Sequence, residues 1–191
     1  GWCSYFYSGA DGGCSTGADR LAHDDLPWVV WYLQQMKLYE QQHGVRILDY
    51  FDLHGYSYEG VSLTGAGDAA LQARRLRATR ALWDPTYYDE GWVGQDLNAS
   101  IYLIPRMKQW VSDNYPGTKL AITEYNWGGL EHINGALAQA DSLGIFGREG
   151  LDLATIWDPP TSTQPGAYAF RMYLNYDGNH SAFGDTSVQA L

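Results

Sequence analysis

Residues 119–129 read KLAITEYNWGG, and the reading of this stretch decides the fold. Leu120, Ala121 and Ile122 form an apolar run that ends abruptly on a carboxylate, Glu124. Tyr125, Asn126, Trp127 and two glycines follow. A short apolar run closed by turn residues reads as a buried strand. Residues 131–147 carry Ile133, Leu137, Ala140 and Leu143 on one face at helical spacing, which predicts a helix. A buried strand that feeds a helix belongs to a parallel sheet with helical crossovers.

The same alternation recurs outward from this stretch. Residues 1–9, GWCSYFYSG, are β-rich and lead into a glycine loop. From Leu26 to His43 a helical pattern runs through Trp28, Tyr32, Met36 and Tyr39 and stops at Gly44. VRILDYFDLHGY (45–56) predicts a strand, and a long excursion follows it. The excursion holds helix-like residues 68–83, the loop DPTYYDEGW (84–92) and a helical segment over about 97–114. Pro105 must kink that last helix or mark a late start. LDLATIWD (151–158) predicts another strand, and residues 167–176 one more helix.

Four consecutive βα units are therefore expected, an α/β fold that is either a doubly wound sheet or part of a (β/α)8 barrel. No glycine-rich phosphate loop follows any strand, so a nucleotide-binding version has no support. Polar residues gather at three strand ends: Asp52 with His54, Glu124 with Asn126, and Trp157 with Asp158. Barrel enzymes place their chemistry at that end, which favours the barrel.

Strict alternation puts Tyr50, Asp52 and His54 on one face of the first of these strands. It groups Leu120, Ile122 and Glu124, with Tyr125 opposite, and Leu151, Leu153, Thr155 and Trp157 on the third strand. If these are the lumen faces, Asp52, His54, Glu124 and Trp157 converge at the barrel mouth. Three polar groups beside an aromatic plate outline a glycoside site.

Composition narrows the partners. Of the 15 Tyr, 8 Trp and 5 Phe, many lie in polar loops where no core needs them. Rings suit the apolar faces of sugars, while their OH and NH groups bond at the edges. A net charge of −10 argues against nucleic acid and other polyanions. The basic run Arg74, Arg75, Arg77 and Arg80 sits at helical spacing and reads as a solvated helix face rather than a phosphate site. No apolar run approaches the ~18 residues of a membrane span, and no basic–apolar–small leader opens the chain. The first residues already read as a strand, which suggests a mature fragment or a truncated reading frame. Cys3 and Cys14 flank a Gly- and Ser-rich loop, where a local disulfide and two free thiols both remain open.

With these residues in place, a resemblance emerges. The runs LWDPTYYDEGWV, LIPRMKQWV, YPGTKLAITEYNWGG, INGALAQADSLGIFGREGLDLAT and FRMYLNYDGN are similar to glycoside hydrolase family 44, endoglucanases and xyloglucanases. The resemblance implies half of a TIM-like catalytic barrel over residues 1–176, strands five to eight, and a lead-in to a β-sandwich domain over 177–191. It implies a secreted, retaining enzyme that cuts internal β-1,4 linkages of glucans such as cellulose derivatives and xyloglucan. Glu124 matches the family nucleophile. FDLHGYS aligns Asp52, His54 and Tyr56 with the family's LD-x-H-Y-Y segment, with Gly55 in place of an aromatic, which puts one contact at or behind the substrate in doubt. His54 is expected to support catalysis. Trp157, Trp127, Tyr56, Asn126 and Asp52 are expected to contact substrate. No cofactor is implied, and a structural calcium, carried by some relatives, is left open.

One departure is large. The family's acid/base glutamate lies in an Asn-Glu motif, and no Asn-Glu pair occurs in these 191 residues. Glu40, Glu59, Glu90, Glu131 and Glu149 match none of that motif. Retaining cleavage needs two carboxyls roughly 5–5.5 Å apart, one attacking and one donating a proton. This chain supplies one. Open sheet edges further predict that the isolated chain aggregates, pairs with a second copy, or docks onto a missing N-terminal half. The rival function is a non-catalytic carbohydrate-binding fragment, and the weakest rival a phosphate-handling α/β protein.

Overall fold

The computed structural model describes residues 17–56 and 64–184. The predicted strand 1–9 and the pair Cys3 and Cys14 lie outside these residues, as does the end of the expected lead-in, 185–191. In chain order the elements are α1 (Ala18–Ala22), α2 (Trp28–His43), β1 (Tyr50–Tyr56), α3 (Ala69–Ala78) with a 3-10 turn (Thr79–Leu82), α4 (Trp92–Leu97) and α5 (Leu103–Asn114). There follow β2 (Lys119–Asn126), α6 (Ile133–Glu149), β3 (Leu153–Ile156) and α7 (Pro165–Leu174). No described helix is long and apolar enough to cross a membrane.

Local chemistry explains the boundaries. α2 ends where Gly44 turns left-handed, at φ 68°, and returns its N–H to Glu40 O at 2.8 Å. Asp68 caps α3 by accepting from Leu71 N at 2.8 Å. The helix expected over about 97–114 starts late, at Leu103, because residues 98–102 separate it from α4. Asn98 and Tyr102 both take left-handed backbone, at φ 47° and 48°, and break the run. Pro105 then falls in the first turn of α5, where a missing N–H costs no intrahelical bond, so it marks the late start.

The strands form one parallel sheet in the order β1-β2-β3. The order is sequential, as in a barrel, and no switch point falls among the described strands. One face is covered: Phe51, Leu53, Leu120, Ile122 and Tyr125 pack into the core with Val29 and Leu33 of α2, Ile104 and Met107 of α5, and Phe146 of α6. Fully burying side chains such as Ile122 or Leu33 contributes roughly 1.5–3 kcal/mol each. The other face carries the exposed Tyr50, Asp52, Leu153, Thr155 and Trp157.

Strict alternation fails in β2, and this corrects the expected grouping. Asp52 pairs with Ala121 but His54 pairs with Glu124, so β2 spends three steps where β1 spends two. Against β3, Ile122 pairs with Ala154 and Tyr125 with Ile156, the same surplus. One extra residue is bulged into β2 at Ile122–Thr123. Leu120 and Ile122 therefore face the helices, together with Tyr125, and not the open side. Beyond the bulge, Thr123 and Glu124 both turn to the open side. Glu124 reaches its predicted face by a bulge, not by simple parity.

The arginine run also divides. Arg77 makes a two-pronged pair with Glu90, at 2.6 and 2.7 Å, and Arg80 pairs with Asp84 at 2.7 Å, on the partly solvated face expected of them. Arg75 instead is 0% exposed. Its guanidinium donates to Trp127 O (3.0 Å), Ala66 O (2.9 Å), Gly65 O (3.2 Å) and Asn134 Oδ1 (2.5 Å). Burial lowers its pKa, against the raising effect of Glu131. Arg75 staples the segment beyond β1 to the segment beyond β2.

Candidate active site

The open face of the sheet gathers its polar groups at the carboxyl ends of β1 and β2. Glu124 Oε2 lies 3.2 Å from His54 Nδ1 and accepts from Tyr56 Oη at 3.2 Å. His54 and Tyr56 sit two residues apart on β1 and so share its face, and the register places His54 directly beside Glu124. A Tyr hydroxyl and an imidazole against one carboxylate oxygen hold that group in one orientation. Both of these contacts fall on Oε2, not on Oε1.

Asp52 is on the open face but is already engaged. Its Oδ1 accepts from the backbone N–H of Thr123 at 2.9 Å, and its Oδ2 accepts from the Thr123 hydroxyl. On the other side, Thr155 Oγ1 of β3 donates to Thr123 O. The bulged residue is thus gripped by both neighbouring strands. From sequence Thr155 was placed on the open face without a role, and Thr123 was not singled out. The signal was there: Thr-Glu is two consecutive polar residues inside a strand, a break in alternation.

Asn126 and Trp157 form a second tie. Asn126 is buried, its Nδ2 donates to Trp157 O at 2.7 Å, and its Oδ1 accepts from Gly128 N at 2.6 Å. Trp157 N donates to Tyr125 O at 3.0 Å. The end of β2 thereby fixes the backbone that presents Trp157, a residue that is 54% exposed. Asn126 spends its amide on backbone rather than offering it outward.

Trp127 is a correction. It was expected at the sugar, yet it is 4% exposed and belongs to the core cluster, because the chain has already turned away from the sheet. Gly55 is also resolved by direction. A Cβ there would lie 3.3 Å from Leu103 Cδ2 and 3.6 Å from Ile122 Cγ2, on the helix side, so position 55 does not face the site. Among the described residues no group of three or more His, Cys, Asp or Glu comes together to hold a metal ion. Residues 177–184 fold back on α7, where Phe183 stacks on Tyr173 with ring centres 4.9 Å apart.

Comparison with known proteins decides the lineage. The model of glycoside hydrolase family 44 matches residues 1–59. Endoglucanase A of Paenibacillus lautus is 41% identical over 169 residues, 85% of this chain and 24% of the relative. The solved structure of CelM2, a bifunctional glucanase-xylanase from a metagenome library, superposes with a TM-score of 0.85 at 50% identity. That match covers 95% of this chain and 34% of CelM2. The chain belongs to glycoside hydrolase family 44. A family 44 xyloglucanase of Paenibacillus polymyxa, solved with xyloglucan, is 37% identical with a TM-score of 0.84, over 97% of this family 44 chain and 37% of the xyloglucanase. The family 44 chain thus spans about a third of the solved relatives it matches and about a quarter of the Paenibacillus lautus enzyme.

Proposed function

We propose that Glu124 is the nucleophile of a retaining endo-β-1,4-glucanase or xyloglucanase, and that this chain supplies strands five to eight of its (β/α)8 barrel. The observation that carries the proposal is the pairing of one carboxylate oxygen with both His54 and Tyr56 at a strand end, beside the exposed Trp157. The sequential parallel sheet with helices on one face supports the barrel. Relatives named as endoglucanases and a xyloglucanase support the substrate class.

In this reading the ionised Glu124 attacks the anomeric carbon, and Trp157 stacks on the apolar face of a sugar ring beside it. Tyr56 and His54 keep the carboxylate aimed and stabilise the charge that returns to it when water displaces the sugar from the glycosyl–enzyme bond. The proton for the leaving oxygen comes from a second carboxyl that this sequence, lacking an Asn-Glu motif, does not contribute. A polymeric substrate of this kind places the enzyme outside the cell.

The test is Glu124→Gln in the natural polypeptide that carries this chain, assayed by release of reducing ends from xyloglucan and carboxymethylcellulose. Loss of roughly 10³-fold or more in kcat is expected. Activity that survives the substitution removes Glu124 from the role. Wild-type binding to insoluble cellulose with no release of reducing ends would establish the carbohydrate-binding alternative instead.

A further inference from the structure

We propose that Asp52 is a positioning residue: its carboxylate holds the β2 bulge at Thr123, and the bulge is what aims Glu124 at the open face. As applied to turnover, this rests on the nucleophile reading of Glu124. The bulge itself does not.

A residue added to one strand of a ladder leaves an N–H without its regular partner, and a buried or crowded orphan of this kind must be satisfied locally. Here the orphan is Thr123 N, and Asp52 Oδ1 accepts it at 2.9 Å. The second oxygen takes the Thr123 hydroxyl, so both oxygens of one carboxylate close on one residue. Asp52 stands on the last regular pair before the shift, opposite Ala121, where a side chain can reach the surplus residue.

The geometric consequence follows from the period of two. Without the extra residue, alternation from the buried Ile122 would send Thr123 out, Glu124 toward the helices and Tyr125 out. With it, Tyr125 points to the helix layer, where its hydroxyl accepts from Gln139 Nε2 at 2.8 Å and its ring meets Phe146 edge-on. Glu124 correspondingly points to His54 and Tyr56. One bulge therefore settles both the packing of Tyr125 and the aim of Glu124. Asp52, with both oxygens on Thr123, acts through the strand and not on the sugar.

The experiment compares wild type, Asp52→Ala and Asp52→Asn in the natural polypeptide, with xyloglucan as substrate and residue-resolved hydrogen exchange at Thr123. Asp52→Ala is expected to lower kcat about 100-fold, the scale of a misplaced catalytic group, with KM changed by no more than about threefold. Its Thr123 amide should exchange faster. Asp52→Asn keeps an oxygen that can accept from Thr123 N, and should stay within about fivefold of wild type in kcat with the amide protected. Should Asp52→Ala not fold, Asp52→Ser, too short to span both Thr123 groups, takes its place.

A raised KM with unchanged kcat would make Asp52 a sugar contact and overturn the proposal. So would equal losses in the Ala and Asn variants, which would assign the effect to charge. A Thr123 amide as protected in Asp52→Ala as in wild type overturns it whatever the kinetics. If the wild-type polypeptide does not hydrolyse the glucan, the nucleophile reading fails alone, and the Thr123 exchange still decides whether Asp52 holds the bulge.

Discussion

His54 Nδ1 lies 3.2 Å from Glu124 Oε2, and Tyr56 Oη reaches the same oxygen at the same distance. Two side chains from one strand thus converge on one atom of the next, and only because the register pairs His54 with Glu124. With Glu124 as the proposed nucleophile, each would support it without replacing it. Tyr56→Phe and His54→Ala are each expected to lower kcat by roughly 10- to 100-fold, less than Glu124→Gln, with the protein still folded. Measured kcat for the three variants on xyloglucan checks the order. A His54→Ala loss equal to that of Glu124→Gln would mean that His54 takes part in the bond change itself.

Gly135 and Gly147 lie in the same helix, α6, and should respond to alanine with opposite signs. A Cβ on Gly147 meets nothing within 4 Å, so Gly147→Ala gains helix propensity, up to about 1 kcal/mol. A Cβ on Gly135 would sit 2.0 Å from Gly129 O and 2.4 Å from Gly128 O, both backbone. The first turn of α6 presses on the loop that leaves β2, and neither atom belongs to a side chain that can swing away. Gly135→Ala is expected to lose about 1–3 kcal/mol net, despite the better propensity. Urea midpoints of the two variants moving in opposite directions would confirm the close approach, and a stabilised Gly135→Ala would refute it.

Helices and strands were legible because their signals are local. Gly44 and Gly150 stop helices as their left-handed backbone requires, and the apolar stripe of α5 buries Leu103, Ile104, Met107 and Val111. Facing was harder, because it depends on neighbours. The sequence Ile-Thr-Glu-Tyr shows a broken alternation, but only pairing with both β1 and β3 reveals where the extra residue sits. Glu124 was placed on the right face by an argument that put Leu120 and Ile122 there too, and those two are core. Arg75 was invisible for a related reason. The four arginines at helical spacing look alike in sequence, and nothing local marks the one that will reach Trp127 O and Asn134 across the fold. Trp127 was misjudged since an aromatic beside a catalytic-type carboxylate invites a substrate role, whereas large aromatics mostly go to cores.

Asp84 gives the loop between α3 and α4 a defined acid limit. Its Oδ1 accepts from the Thr86 hydroxyl at 2.7 Å and the Thr86 N–H at 2.8 Å, while Oδ2 meets Arg80 Nε at 2.8 Å. The Thr86 hydroxyl, then its N–H, then Arg80 hold the Asp84 carboxyl down from 3.8 to about 2. A carboxyl with a depressed folded pKa stabilises the native state fully above its unfolded value, and the contribution disappears as pH falls through the folded one. The window is therefore about pH 4 down to about pH 2. Asp84→Asn keeps the shape and an oxygen for Thr86 but loses the charge that faces Arg80. Wild type should exceed Asp84→Asn in stability by a constant margin above roughly pH 5, and the margin should shrink steadily below roughly pH 4 as wild type itself takes up the proton. Urea midpoints of both proteins across that range measure it. A margin that stays flat to the acid end would show that Asp84 holds its loop as a neutral turn former, with its charge contributing nothing.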